Sequence, residues 1–201
     1  MGEAYELAVA RDAAFHMRTY ARKPVMFVRG KGMRLWDDDG REYLDFVAAI
    51  GSVNLGHAHP AVAAEVCEQM ATLVQTSNLF HVQHRSELAE TIVALFGGGA
   101  KVFFSNSGAE ANEGAIKLAR AWGRKRRGAS CHRIVTAERS FHGRTLATLA
   151  ATGQASKQEL FEPLPPGFVH VPFNDVDALD AALTGDVCAV MLEPVLGESG
   201  V

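Results

Sequence analysis

Three short segments of this sequence carry the side chains best suited to chemistry. The first, Ser105–Glu113, is rich in small residues and runs into a helical pattern, and the N–H groups at a helix start attract an anion. The second, Glu138–Thr145, places an aromatic ring, an imidazole and a guanidinium beside a glycine, which suits a planar anionic ligand. The third, Glu193–Gly200, contains two carboxylates that can orient a ligand or pair with an arginine.

The first segment is predicted to bind an anion such as a phosphate. The hydroxyl of Ser107 and the amides of Gly108 and Ala109 would donate the hydrogen bonds. A helix that is merely capped by a serine is the competing interpretation, because Ser and Gly are common at such positions. The sequence has neither the lysine of a P-loop nor a Gly-x-Gly-x-x-Gly pattern, so these nucleotide-binding motifs are absent.

The other two segments supply a ring, a cation and two carboxylates. Phe141 is predicted to stack on a planar ligand, and Arg144 to bind a carboxylate through two parallel hydrogen bonds. Taken alone, this pattern is more typical of a loop with a buried phenylalanine and a solvated arginine. Glu193 and Glu198 are candidates for orienting the ligand or restraining an arginine.

The elements that must position these segments alternate between strands and helices. Four apolar runs rich in Val, Ile and Phe are predicted as strands: Lys101–Ser105, Arg133–Ala137, Phe168–Val171 and Val187–Glu193. Helices are predicted between them, most clearly over Ala109–Arg126 and Asp175–Leu183. Such alternation predicts an α/β fold, with a mostly parallel sheet covered by helices on both faces. Ligands of these sheets lie beyond the carboxyl ends of the strands, which is where the three segments fall.

The first third of the chain is predicted to consist of smaller elements. These are a helix over Ala4–Arg18, strands over Val25–Arg29, Arg34–Asp37 and Glu42–Phe46, a helix from Pro60 to Leu73 and another from Ser86 to Leu95. Asp38-Asp39-Gly40 is typical of a tight turn, so the two strands that flank it are expected to form a hairpin. The hydroxyl of Ser86 is expected to cap the last of these helices.

Composition and spacing exclude several classes of function. Hydrophobic residues make up 48% and charged residues 21% of the 201 residues, which is ordinary for a soluble globular protein. The net charge of -3 argues against a dedicated nucleic-acid binder, and no apolar run approaches the roughly 18 to 20 residues that span a bilayer. Three cysteines without metal or redox spacing favour reduced thiols of a cytoplasmic protein. The pairs His57-x-His59 and His81-x-x-His84 lack partner ligands, so no metal site is predicted.

The three segments resemble, in their order and spacing, those of the class III aminotransferases. The residues that carry this resemblance are Asn106–Glu113, Ser140–Thr145 and Glu193-Pro194…Gly197-Glu198. Asp45-Phe46 and Gly56–Pro60 also match the N-terminal pattern of this family, so the resemblance runs along the chain from about Tyr20. Members of this family are fold-type-I enzymes that depend on pyridoxal 5'-phosphate (PLP). The resemblance therefore implies PLP as the cofactor and transamination as the reaction.

The resemblance also implies a domain division. It assigns residues 1–57 to the N-terminal segment of the family's small domain, and 58–201 to an incomplete large domain that binds PLP. The lysine that holds the cofactor, an Asp-Glu-x-Gln strand and the C-terminal small domain are expected beyond Val201. By this reasoning the chain lacks its catalytic residue and is inactive by itself, and the complete protein is expected to be a homodimer.

Two sets of site residues are carried over from the family. The cofactor-binding set consists of Ser107, Gly108, Ala109, Phe141, His142 and Glu193. The substrate-binding set consists of Tyr20, Arg144 and Glu198. Within them, Arg144 matches the residue that binds the substrate's α-carboxylate. Glu198 matches a carboxylate that pairs with a second arginine and releases it for 2-oxoglutarate.

Three features bear on the substrate within the family. Ile50 stands where ornithine-specific members carry a selecting tyrosine, and Arg144 disfavours amino donors that lack an α-carboxylate. Together with Thr76–Phe80, they favour N-acetylornithine as the donor and 2-oxoglutarate as the acceptor, in arginine biosynthesis. Ornithine, succinylornithine and 4-aminobutyrate are the alternative donors. A half-length protein with a non-catalytic pairing or regulatory role is the alternative of a different class.

Overall fold

The computed structural model describes residues 2–200, which form two compact units, one ending at Val82 and the other beginning at Gln83. The first unit contains α1 (Glu3–Phe15), β1 (Phe27–Lys31), β2 (Arg34–Asp37), β3 (Glu42–Leu44), α2 (Ala48–Gly51) and α3 (Pro60–Thr72). The second contains α4 (Gln83–Leu95), α5 (Gly108–Arg127), β4 (Arg133–Ala137), α6 (Leu146–Ala151), α7 (Ala155–Gln158), a 3-10 turn (Glu159–Phe161), β5 (Phe168–Val171), α8 (Val176–Ala182) and β6 (Val187–Met191). Among the described residues, no helix has the length and apolar character needed to cross a membrane.

The sheet of the first unit is antiparallel, in the order β1-β2-β3. The predicted hairpin between β2 and β3 is confirmed. At its turn the amide of Gly40 donates to the carbonyl of Asp37 over 3.0 Å, and Gly40 has a φ of +80°, which a glycine adopts without strain. The Asp37 carboxylate accepts from the amide of Arg41 at 2.7 Å and from the hydroxyl of Tyr43 at 2.8 Å. The turn is therefore fixed by the Asp37 side chain as well as by the backbone hydrogen bonds between β2 and β3.

The short element α2 is a single turn of left-handed sense. Its four residues, Ala48–Gly51, have φ values of 45°, 50°, 56° and 81°, a conformation that costs energy for residues other than glycine. The carboxylate of Asp45 holds this turn, because it accepts from the amides of Val47 and Ala48, both at 2.9 Å. Its other oxygen lies 2.7 Å from Nε2 of His57, and this bond lowers the pKa of Asp45. The strained turn is thus anchored at its start.

The sheet of the second unit is parallel, in the order β5-β4-β6, and helices cover both of its faces. On one face Ile134 packs in a buried cluster with residues of α5 and α6. On the other face its neighbour Val135 packs with β5, β6 and α8. Because successive side chains of a strand point to opposite faces, a strand buried on both faces needs apolar residues at consecutive positions. The predicted α/β fold is confirmed.

Close packing sets the position of α5 on this sheet. A Cβ atom placed on Gly123 would lie 2.4 Å from the carbonyl oxygen of Cys131 and 2.6 Å from Cβ of Cys188. Only a glycine lets the helix approach the strand starts this closely. Gly123 lies near the C-terminal end of α5. Because the helix is continuous, this contact also sets the position of its N-terminal end, which carries the predicted anion site.

Two predictions about individual elements are wrong. Lys101–Ser105 is not a strand, since these residues form no ladder in the described chain. A strand requires a hydrogen-bonded neighbour, and no strand among residues 2–200 pairs with this segment. Ser86 does not cap α4, because the helix begins three residues earlier, at Gln83. Other element ends differ from the predicted ones by a few residues, and the division predicted at residues 57 and 58 stays a prediction.

Candidate active site

The first turn of α5 presents an anion cradle. Ser107 is its N-cap, and its hydroxyl oxygen accepts from the amide of Glu110 at 3.2 Å. This contact leaves the hydroxyl proton of Ser107 for a ligand. The amides of Gly108 and Ala109 precede the first helical hydrogen bond and have no acceptor among residues 2–200. A Cβ on Gly108 would meet nothing within 4 Å, so no described neighbour packs against this residue on its side-chain side.

The loop that follows β4 is fixed by two buried hydroxyls. Ser140 is fully buried, and its hydroxyl donates to the carbonyl of Ala137 at 2.6 Å and accepts from the amide of Gly153 at 3.1 Å. Thr152, also fully buried, accepts from the amide of His142 at 2.9 Å. Buried hydroxyls paired in this way hold a backbone in one conformation, because breaking them leaves unsatisfied groups. The ring of Phe141, which lies between Ser140 and His142, is therefore presented from a rigid loop.

This loop is joined directly to the start of α5. The side-chain amide of Asn112 donates to the carbonyl of His142 at 2.7 Å, and the hydroxyl of Thr145 donates to Glu113 at 2.5 Å. Gly143 closes the junction, with a φ of +137° and no room for a side chain. A Cβ placed on it would lie 2.9 Å from that of Ala109. The anion cradle and the loop that bears the aromatic ring are thus neighbours.

The carboxylate of Glu193 ties two strand-end loops together. One of its oxygens accepts from the amide of Phe141 at 2.8 Å, and the other accepts from the amide of Gly197 at 2.9 Å. Hydrogen bonds to an ionised acceptor are roughly twice as strong as neutral ones. Glu193 therefore positions Phe141, whose ring is predicted to stack on the ligand, through the backbone amide of that residue.

Two cationic side chains lie near the ring of Phe141, and one of them binds a carboxylate. Cζ of Arg144 lies 6.0 Å and Nζ of Lys157 lies 5.0 Å from the ring centroid. Lys157 also contacts both carboxylate oxygens of Glu198 at 2.6 Å, and the side-chain amide of Gln154 donates to the same carboxylate at 2.8 Å. These two hydrogen bonds, from Lys157 and then from Gln154, lower the pKa of Glu198. Glu198 is therefore an anion held by Lys157 and Gln154.

The ring of His142 lies inside the protein. This residue is only 4% exposed, and burial lowers the pKa of its imidazole, with Glu193 opposing and His170 reinforcing that shift. Its Nε2 is buried without a hydrogen-bond partner among the described residues. The connection of His142 to the other site residues runs through its backbone amide and carbonyl.

Two of the residues that bear on the substrate belong to the first unit. Tyr20 follows α1 and is 62% exposed. Ile50 lies on the left-handed turn and is 93% exposed. The second unit brings together the anion cradle, the ring, the guanidinium and the two carboxylates.

Comparison with known proteins gives the family. The sequence profile described as "Aminotransferase class-III" matches residues 16–201. The chain belongs to the class-III aminotransferases. It is 54% identical over 185 residues to an acetylornithine aminotransferase from Gloeobacter violaceus, a match that covers 92% of this chain and 46% of that protein. This class-III chain spans about half the length of the curated relatives it matches.

Solved structures resemble this class-III chain closely. An ornithine aminotransferase from Toxoplasma gondii has a TM-score of 0.91 at 33% identity, over 96% of this chain and 46% of that one. An N-acetylornithine aminotransferase from Stenotrophomonas maltophilia has a TM-score of 0.75 at 37% identity, with the same coverage of both chains. The same fold is therefore found in an ornithine aminotransferase and in an N-acetylornithine aminotransferase.

Several residues that shape the site were not found from the sequence. Asn112 and Glu113 belong to a recognised segment, yet nothing in the sequence indicates that they hold the loop after β4. Lys157 and Gln154 gave no signal, because the carboxylate that they bind follows 41 and 44 residues later in the chain. Contacts across such separations depend on how β4, α7 and β6 pack.

Replacing Glu193 tests whether its carboxylate fixes the ring-bearing loop. We expect Glu193→Ala to speed amide hydrogen exchange at Phe141 and Gly197 by about tenfold or more, because each loses an acceptor worth roughly 1.5 to 3 kcal/mol. Glu193→Gln, which retains one acceptor, is expected to have a smaller effect. Glu159→Gln, at an exposed glutamate of the same unit, is the control. Unchanged protection of the Phe141 amide in Glu193→Ala would refute this role.

Proposed function

We propose that the complete protein uses PLP to transfer an amino group from N-acetylornithine to 2-oxoglutarate. The observation that carries the proposal is the adjacency of an anion cradle, an aromatic ring and an exposed guanidinium at one end of a parallel sheet. The names of relatives at about 50% identity, acetylornithine aminotransferases, support the choice of donor.

The residues of the cradle fit a phosphorylated planar cofactor. Ser107 has a hydroxyl proton to donate, and the amides of Gly108 and Ala109 converge at the positive end of α5, a 20-residue helix. Phe141, on the adjoining loop, offers a face on which a pyridine ring can pack. When bound, PLP would supply an electron sink for the electrons of the C–H bond broken at the carbon that bears the transferred amino group, which is Cδ in N-acetylornithine. The part assigned to this chain is to bind and orient both molecules.

Substrate binding is assigned to residues of both units. Arg144 is exposed and carries a guanidinium whose fork geometry matches a carboxylate, so it binds the α-carboxylate of the donor. Tyr20 and Ile50 are proposed to contact the rest of the donor. Glu198 is proposed to pair with a second arginine, and the lysine that transfers the proton is proposed to follow Val201 in the complete polypeptide.

The proposal extends to a cytoplasmic homodimer that acts in arginine biosynthesis. Exposed apolar side chains support an assembly in which more surface is buried than in this chain alone. On α3, for example, Val62, Val66 and Met70 recur at a spacing of four residues and are 46%, 52% and 61% exposed. Such a stripe along one helix face is typical of a surface that packs against another element.

Ornithine is the second candidate donor. It is favoured by the TM-score of 0.91 to an ornithine aminotransferase, which exceeds that to the acetylornithine enzyme of Stenotrophomonas maltophilia. Ile50 argues the other way, because it stands where the resemblance places a tyrosine in ornithine-specific members. The two donors differ in whether the α-amino group carries an acetyl group, so an assay separates them directly.

The activity of the complete gene product tests the proposed function. We expect the purified protein to bind PLP and to convert N-acetylornithine and 2-oxoglutarate with a higher kcat/KM than it shows for ornithine or 4-aminobutyrate. A preference for ornithine would support the second candidate. PLP binding without turnover of any of these donors would contradict the proposal and favour a non-catalytic role.

Replacing Arg144 tests the assignment of the carboxylate site. We expect Arg144→Ala to lower kcat/KM for N-acetylornithine by about a hundredfold, since a lost charged pair in a binding site costs on the order of 2 to 3 kcal/mol. Arg144→Lys keeps the charge but not the two parallel hydrogen bonds, so its kcat/KM should lie between those of the wild type and of Arg144→Ala. Affinity for PLP should not change. Arg126→Ala, at an exposed arginine near the end of α5, is the control, and an equal loss there would remove Arg144 from the site.

A further inference from the structure

The left-handed turn of the first unit holds an apolar side chain in an unfavourable conformation. Ile50 has a φ of 56°, which is unfavourable for any residue with a Cβ atom and rarer still for a β-branched one. The residue is 93% exposed, so burial within this unit does not offset that cost. Residues in such conformations persist only where the surrounding contacts enforce them, and they cluster at functional sites. The conformation of Ile50 therefore depends on the contacts that hold the turn.

The carboxylate of Asp45 is the group that enforces this turn. Its Oδ1 accepts from the amides of Val47 and Ala48, both at 2.9 Å. Nε2 of His57 donates to its Oδ2 at 2.7 Å, since an ionised carboxylate only accepts. The side chain of Asp45 is only 7% exposed, so little water is available to replace these contacts. Removing the carboxylate would leave the two amides at the start of the turn without their acceptor.

His57 is itself fixed by the antiparallel sheet. Its amide donates to the carbonyl of Gly32 at 2.8 Å, and the amide of Gly32 donates to the carbonyl of His57 at 3.0 Å. A Cβ placed on Gly30, in β1, would lie 2.7 Å from Cβ and Cγ of His57, so this side chain packs directly on the backbone of the strand. The amide of Asp45 also donates to the carbonyl of Met33, at 2.9 Å. The pair formed by Asp45 and His57 thus connects the turn to the sheet.

We propose that Asp45 and His57 are positioning residues that set the choice of amino donor by fixing the place of Ile50. This inference rests on the proposed function, in which Ile50 contacts the donor. N-acetylornithine and ornithine differ by an acetyl group, and a side chain distinguishes them only if it stays in one place. A turn released from the carboxylate would relax toward commoner backbone conformations and move Ile50, so the discrimination would weaken.

The ratio of kcat/KM for N-acetylornithine to that for ornithine, measured with the complete, PLP-loaded protein, tests this role. We expect Asp45→Ala to lower this ratio about tenfold, the lower end of what one apolar contact in a binding pocket is worth. Asp45→Asn retains an acceptor for the two amides and is expected to keep most of the preference. In the double variant Asp45→Ala/Ile50→Ala, the ratio is expected to equal that of Ile50→Ala alone, because Asp45 acts only through Ile50.

Asp37→Ala is the matched control. Asp37 is a buried carboxylate of the same unit, and it also accepts from two backbone amides, those of Asp39 at 3.1 Å and Arg41 at 2.7 Å, but it holds a different turn. Its replacement is expected to lower thermal stability, as that of Asp45 does, and to leave the donor ratio unchanged. An equal fall of the ratio in both variants would show that the ratio follows destabilisation alone, and it would overturn the inference.

The outcomes separate this inference from the proposed function. A wild-type protein that turns over neither donor contradicts the proposed function, and the inference falls with it. An active wild type whose donor ratio is unchanged in Asp45→Ala overturns the inference alone, as does a ratio in the double variant that differs from that of Ile50→Ala. Should Asp45→Ala not fold, His57→Ala removes one donor to the carboxylate and is expected to lower the ratio less, while His57→Gln, whose amide can donate in place of Nε2, should restore it. An unchanged ratio in His57→Ala would then overturn the inference.

Discussion

The candidate site depends on one junction, between the loop that follows β4 and the first turn of α5. A side-chain amide of the helix, that of Asn112, holds the carbonyl of His142 at 2.7 Å. Gly143 allows the two backbones to approach, because any side chain there would collide with Ala109 and Thr148. Without this junction, the anion cradle and the aromatic ring would belong to two independent loops. With it, they form one surface.

The parallel sheet makes this junction possible. Buried apolar residues on both faces fix β4 between β5 and β6, and the close approach at Gly123 fixes α5 on the sheet. Two strand-end loops then meet at the same edge, where the carboxylate of Glu193 joins them. The buried hydroxyls of Ser140 and Thr152 and the carboxylate of Glu193 thus fix the loop after β4, which is the kind of support that a preorganised binding site requires.

Local patterns in the sequence were sufficient for strands marked by consecutive apolar residues and for a tight turn. Arg133–Ala137 and Phe168–Val171 are strands over the residues predicted, because consecutive apolar residues flanked by helices admit few other arrangements. The hairpin at Gly40 was also predicted from a local pattern, the turn residues Asp38-Asp39-Gly40. Lys101–Ser105 has the same apolar character, yet a strand exists only where a partner is available, and partners are set by topology.

The candidate site likewise has parts that the sequence predicts and parts that it does not. Small residues and Ser107 at a helix start, and an aromatic next to an arginine, are visible as patterns along the chain. The contacts that hold them, such as Asn112 to His142 and Lys157 to Glu198, join residues 30 and 41 positions apart. No periodicity or motif specifies such pairs, because they follow from the packing of α5, α6 and α7 on the sheet.

The affinity of the complete protein for PLP in Gly143→Ala tests the central claim most directly. A Cβ at this position would lie 2.5 Å from Oγ1 of Thr148 and 2.9 Å from Cβ of Ala109, so it must push the loop away from the cradle. Gly128→Ala is the matched control, since Gly128 also has a positive φ, of +101°, but nothing lies within 4 Å of its added Cβ. The account predicts that PLP binding, measured by absorbance titration of the folded variants, weakens by about tenfold or more for Gly143→Ala alone, equivalent to about 1.4 kcal/mol. Equal affinity in the two variants would contradict the claim that the cradle and the ring act as one site.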